Sequence, residues 1–192
     1  MNLNPNKLVF VHVAKCAGTS MSRSLPSVYH CAANRGKHWL TKHNPKNHLR
    51  TLDFDSSWFS FAFVRNPFDR MVSAWKSRWV SGLTYKKSFL EFLYYIDKSD
   101  NGFAESHVWP FFDPRQKLFN EDGTRRVNFI GRFENLKKDF DSVCSIMSLG
   151  KISLPHENKG NRGPYQEYYN DESRKIVEKR YEKDLNYFNY EF

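Results

Sequence analysis

Lys15-Cys16-Ala17-Gly18-Thr19-Ser20 gathers a lysine, a glycine and two hydroxyls between a β-branched and aromatic run at residues 8–13 and a helix-compatible stretch from Met21. Such a loop is suited to holding an anion. Gly18 lets the backbone come close, the N–H groups and dipole of a helix start favour negative charge, and the Thr19 and Ser20 hydroxyls add donors. Lys15 can reach a bridging or terminal oxygen. The lysine precedes the glycine, the reverse of the nucleoside-triphosphate loop GxxxxGK[ST], which disfavours metal-dependent ATP hydrolysis. Taken alone, the string is equally compatible with an ordinary strand-to-helix turn capped by Ser or Thr.

A second constellation stands at Arg65-Asn66-Pro67, after the run FSFAFV at residues 59–64. Asn66 suits a helix N-cap and Pro67 the first helical position, so Arg65 sits at the carboxyl end of a strand and Ser73 on the second turn of the next helix. Open α/β sheets bind ligands outside the carboxyl ends of their strands. Arg65 and the Lys15 loop are therefore expected to converge on a ligand with two separated anionic groups, the guanidinium and the Ser73 hydroxyl holding the second.

The strings FVHVAKCAGTSM and FAFVRNPFDRMVSAW resemble the 5′-phosphosulfate and 3′-phosphate motifs of sulfotransferases that use 3′-phosphoadenosine 5′-phosphosulfate (PAPS), specifically the carbohydrate sulfotransferase branch. The similarity continues through FIGRFENLKKDF and the pattern NKGNRGPYQEYYNDE, covering residues 8–192. It implies a P-loop-like α/β fold. It also implies Lys15, Gly18, Thr19 and Ser20 as contacts to the 5′-phosphosulfate, with Cys16 and Ala17, threonine and glycine in many relatives, completing the loop. Arg65 and Ser73 are implied as contacts to the 3′-phosphate, and Lys159, Gly160, Asn161 and Arg162 as a late donor-binding loop. Phe133 and Glu134 match the family's GRFENL element near the nucleotide but are left outside the candidate site.

Sulfuryl transfer suits this set, because a lysine, backbone donors and a helix dipole can stabilise the transition state without a divalent cation. Lys15 would neutralise charge on the departing oxygen while a base takes the proton of the attacking hydroxyl in an in-line displacement. His38, in Gly36-Lys37-His38, resembles the histidine that relatives carry between the two motifs, and its ordinary pKa near ~6.5 permits the role. Placement in a solvated basic loop with His30, His43 and His48 is the competing view. His107 in ESHVWPFF is the rival base or an acceptor contact, and Glu105 a third candidate. His38, His43 and His48 do not form a metal site on this reading: their spacing of five is not one helical face, Pro45 interrupts and no cysteine completes a set.

These residues need a scaffold, and the chain supplies one. Strands at 8–13, 59–64 and 127–130 alternate with helices from Met21, at 67–80, 87–96, 133–149 and 171–185, the last capped by Asp171. Phe68, Met71, Val72, Trp75 and Trp79 form an apolar stripe, with Asp69, Arg70, Ser73 and Lys76 off it. Alternation of this kind predicts an α/β fold with a mainly parallel central sheet flanked by helices, one domain over residues 1–192.

Composition narrows the rest. The 192 residues carry 30 Lys and Arg against 21 Asp and Glu, a net charge of +9 that favours anionic partners. Three scattered cysteines, Cys16, Cys31 and Cys144, give neither a disulfide framework nor a zinc knuckle and fit a reducing compartment. No signal peptide or membrane span is read, so the expectation is a cytoplasmic enzyme, bacterial or viral by resemblance, acting without metal on a hydroxyl of a glycan or glycan-like acceptor. Acceptor choice would lie in the variable loops at 30–55 and 80–125. Two rivals remain at this point: a nucleotide kinase or NTPase, separated by magnesium dependence, and a polyanion or nucleic-acid binding module, separated by salt-sensitive binding to single strands.

Overall fold

The runs LVFVH and FSFAFV have almost no polar residue on either face, the pattern of strands covered on both sides. In the computed structural model, which describes residues 7–25, 29–32 (backbone only), 58–77, 87–98, 107–155 and 162–192, they form β1 (Leu8–His12) and β3 (Phe59–Val64) of a four-stranded sheet. Its order is β2-β1-β3-β4, with β2 at Tyr29–Ala32 and β4 at Phe129–Arg132, and every pairing is parallel. Phe10 lies opposite Phe61, so the carboxyl ends of β1 and β3 are neighbours. The expected α/β architecture is the observed one.

Helices α1 (Gly18–Ser24), α2 (Pro67–Trp75), α3 (Phe89–Lys98), α4 (Leu136–Ile146), α5 (Asp171–Arg180) and α6 (Glu182–Phe188) flank the sheet. Phe10, Phe61, Phe63, Phe140 and Val143 are fully buried in the core around the sheet. Each such side chain contributes roughly 1.5–3 kcal/mol relative to exposure. A second cluster joins α2, α3 and α5 through Phe68, Met71, Phe92, Leu93 and Val177. It fixes α2, and hence the residues that follow β3.

Several boundaries differ from expectation for local reasons. α2 ends at Trp75 rather than near 80, because Ser77 N–H bonds back to Ala74 O at 3.0 Å and tightens the last turn; Trp79 lies outside the described residues. The third expected strand starts two residues later, since Asn128 uses its side chain to accept from Ser60 N–H at 2.8 Å and opens the pairing that β4 continues. Residues 133–135 form a tight 3₁₀ turn before α4 instead of its first turn. Asn170, not Asp171, caps α5: it accepts from Ser173 N–H at 2.8 Å while the Ser173 hydroxyl accepts from Asn170 N–H. The single expected C-terminal helix is two, separated at the fully buried Tyr181.

Candidate active site

β1 leaves the sheet at His12 and the chain turns into α1 through two residues in the left-handed region, Lys15 at φ 67° and Ala17 at φ 64°. A glycine adopts that backbone freely, whereas a side chain there costs roughly 1–2 kcal/mol. Ala17 thus takes the conformation of the glycine that it replaces in the resemblance. Strain of this kind persists only where surroundings hold it. Here the Cys16 side chain is buried, Cys16 N–H bonds to Val13 O, and two arginines of the β3–α2 segment hold the loop's carbonyls.

Arg65 Nη1 donates to Lys15 O at 3.2 Å, which brings the two sequence motifs into direct contact. The remaining edge of the guanidinium grips Asp69, Nε at 2.7 Å and Nη2 at 2.6 Å from the same oxygen, and its face lies 4.0 Å from the Phe133 ring centroid. The other Asp69 oxygen accepts from Arg162. Asp69 and Ser73 stand one turn apart on α2, so Ser73 follows the same stripe as this ion-paired row.

The turn carrying Arg65 is itself fixed. Asn66 caps α2 by accepting from Phe68 N–H at 3.0 Å, with Pro67 at the first helical position, as the sequence predicts. Glu134 accepts from Asn66 N–H at 2.7 Å and from the Tyr190 hydroxyl at 3.0 Å, and Asn66 Nδ2 donates to Glu191 O at 2.8 Å. Phe133 and Glu134, left outside the site by sequence reasoning, therefore shape it. Their signal was present in the string GRFEN.

Electrostatics mark the loop as short of negative charge. Burial, with Arg65 and Arg70 nearby, lowers the Lys15 pKa from 10.5 to about 8. An anion bound there would oppose that shift. Arg70, read as lying off the apolar face, is instead wholly buried and donates to Ala14 O at 3.1 Å, Trp109 O at 2.8 Å and His107 O at 3.2 Å. That places the backbone of His107 beside the loop. His38, Lys159, Gly160 and Asn161 lie outside the described residues, as do Glu105, His43 and His48, whereas Arg162 joins the site through Asp69.

The Sulfotransferase family model matches residues 3–191. The chain belongs to the sulfotransferase family. A crystal structure of a sulfotransferase from Alicyclobacillus acidocaldarius has the same fold, with a TM-score of 0.53 at 14% identity over 97% of this chain and 96% of that one. Comparison with curated protein sequences gives no match. Membership supports sulfuryl transfer as the general chemistry, and among the described residues no group of His, Cys, Asp and Glu is arranged to hold a metal. No described helix is long and apolar enough to cross a membrane.

Within this loop Gly18 has a steric reason of its own, beside the role that the resemblance implies. A Cβ on it would lie 1.9 Å from Nε2 of His12, whose ring stacks against Phe10. Gly18→Ala is expected to lower stability by roughly 1–3 kcal/mol through this overlap, and His12→Ala in the same chain to restore most of the loss. A double-mutant cycle by urea unfolding measures it.

The Cys16 thiol is held in its protonated form. Burial pushes its thiol up to about 11, and Cys144 is likewise shifted upward by burial. Iodoacetamide at pH 8 is expected to leave Cys16 unmodified in the folded protein and to alkylate it in urea, as read by peptide mass spectrometry.

Proposed function

We propose that the chain transfers a sulfuryl group from PAPS to a hydroxyl, on a glycan or glycan-like acceptor. The observation that carries this reading is the Arg65–Lys15 hydrogen bond, which joins the 5′ and 3′ motifs at neighbouring strand ends within a sulfotransferase-family fold. The acceptor oxygen attacks sulfur as the bond from sulfur to the bridging oxygen of the 5′-phosphate breaks. Adenosine 3′,5′-bisphosphate departs. In this scheme Lys15, with the 16–20 loop, offsets charge on the departing oxygen. Arg65, Ser73 and Arg162 serve the 3′-phosphate end, with Lys159, Gly160 and Asn161 assigned to the same end by resemblance.

The proton of the attacking hydroxyl goes to His38, with His107 on the acceptor side. A low-charge transferring group permits the reaction without a divalent cation, in contrast to phosphoryl transfer. The test uses labelled PAPS with a panel of glycans and small alcohols, in the presence of a chelator. Label should move to an acceptor hydroxyl, and calorimetry should register binding of adenosine 3′,5′-bisphosphate. Absence of both results overturns the donor assignment, while binding with undiminished turnover in His38→Ala overturns only the base.

A further inference from the structure

Arg70 stands apart from the residues assigned above because its side chain reaches no surface at which donor or acceptor would arrive. It is fully buried on α2, and its head group lies 4.7 Å from the Phe111 ring centroid. The fork of donors is divided between two stretches of backbone. Nε takes the carbonyl of Ala14, immediately before the strained Lys15, while Nη1 and Nη2 take those of Trp109 and His107. A buried guanidinium whose acceptors are neutral carbonyls is costly unless every bond is kept, so it fixes its acceptors strictly.

The second stretch, residues 107–112, is held along its whole length. Tyr181 donates its hydroxyl to Val108 O, and Gln116 Nε2 donates to Trp109 O at 2.8 Å. The Asp184 carboxylate accepts from Phe111 N–H at 2.7 Å and Phe112 N–H at 3.2 Å. Asp184 of α6 thereby holds the 111–112 end of this rail, Tyr181 at the junction of α5 and α6 holds Val108, and Arg70 joins the 107–109 end to the loop after β1. Arg70 thus bonds to both the Lys15 loop and the His107 rail.

We infer that Arg70 is a positioning residue that holds the Lys15 loop and the His107-bearing rail in one frame, so that anion binding at the loop is transmitted to the rail. Its value for in-line transfer rests on the reading of the two sides as donor and acceptor sides. The bracing itself does not. Lysine at this position keeps the charge and gives up the divided fork, since a single ammonium cannot serve both stretches in the same geometry.

Amide hydrogen exchange of the whole chain decides it. In Arg70→Lys, the Cys16 and Met21 amides of the loop and the Phe111 and Phe112 amides of the rail should exchange about tenfold to a hundredfold faster together, with β1 and β3 core amides unchanged. Faster exchange in one segment only, or equally through the β1 and β3 core, overturns the inference; Arg70→Met gives the same comparison should the lysine variant not fold. In the unaltered protein, adenosine 3′,5′-bisphosphate should slow both segments, and protection confined to the loop overturns the coupling. Failure of the bisphosphate to bind at all strikes the donor reading, while the comparison of unliganded variants still decides the role of Arg70.

Discussion

Lys15→Met is expected to lower sulfuryl transfer by about 10²–10³-fold or more while making the unliganded protein more stable. Both effects follow from one circumstance. Burial and the neighbouring Arg65 and Arg70 bring the Lys15 pKa from 10.5 to about 8, so at neutral pH the fold carries a cation that its surroundings disfavour. Below pH 8 the lysine is charged in folded and unfolded chains alike, and the full cost is present. Between about 8 and 10.5 the unfolded chain binds more protons than the folded one, and stability rises with pH. Methionine keeps the stem and removes the charge, which should stabilise the fold at pH 7 by about 1–3 kcal/mol and flatten that rise. Urea unfolding at pH 7 and pH 9.5 measures both, and a variant less stable at pH 7 with an unchanged pH slope would show that Lys15 is not a strained cation.

The same shift predicts how the site meets its ligand. An anion at the loop restores the ordinary affinity of Lys15 for its proton, so binding near pH 8.5 is accompanied by proton uptake and weakens as pH rises further. On the proposed donor reading, the strained backbone at Lys15 and Ala17 and the crowded cations serve one end, a loop held ready for negative charge by Arg65 and Arg70 before any ligand arrives. Preparation of this kind costs stability in the empty protein.

Much of this was legible in the residues. The apolar runs of β1 and β3, the Asn66-Pro67 helix start, and the placing of Lys15 and Arg65 after strands all follow from local rules, and the structure has them. β2 was missed because four residues, YHCA, show no alternation and no long apolar run. Arg70 was missed because periodicity treats a charge off the apolar stripe as solvent-facing. Its burial is a tertiary matter, settled by the Ala14, His107 and Trp109 carbonyls, which come from segments distant in sequence. Asn170 lost the cap to Asp171 on paper for a similar reason, since the reciprocal Ser173 bond that decides it appears only once the backbone is folded. Glu134 stands outside the site that the sequence outlines because its partners, Asn66 and Tyr190, are 68 and 56 positions away.

Arg65→Met is expected to weaken adenosine 3′,5′-bisphosphate binding by about 10²–10³-fold and to lower stability by about 3 kcal/mol. The stability loss has a definite origin: Asp69, half-buried, loses the partner that grips it through two nitrogens, and the Lys15 carbonyl loses the donor that holds its positive-φ turn. Loss of affinity alone would not separate an arginine that touches the ligand from one that only supports the loop. Asp69→Asn separates them. Asparagine leaves Arg65 in place but removes the carboxylate that now pairs with both Arg65 and Arg162. If these guanidiniums face the 3′-phosphate, the ligand no longer competes with an internal anion, and affinity in Asp69→Asn should hold or rise up to about tenfold with a steeper dependence on salt. If Arg65 serves only as a strut, both variants lose affinity together, since each breaks the Arg65–Asp69 link that sets the guanidinium against the loop. Calorimetric titration of the two variants over a range of salt concentrations reads the difference, and a parallel loss removes Arg65 and Arg162 from the ligand's first contacts.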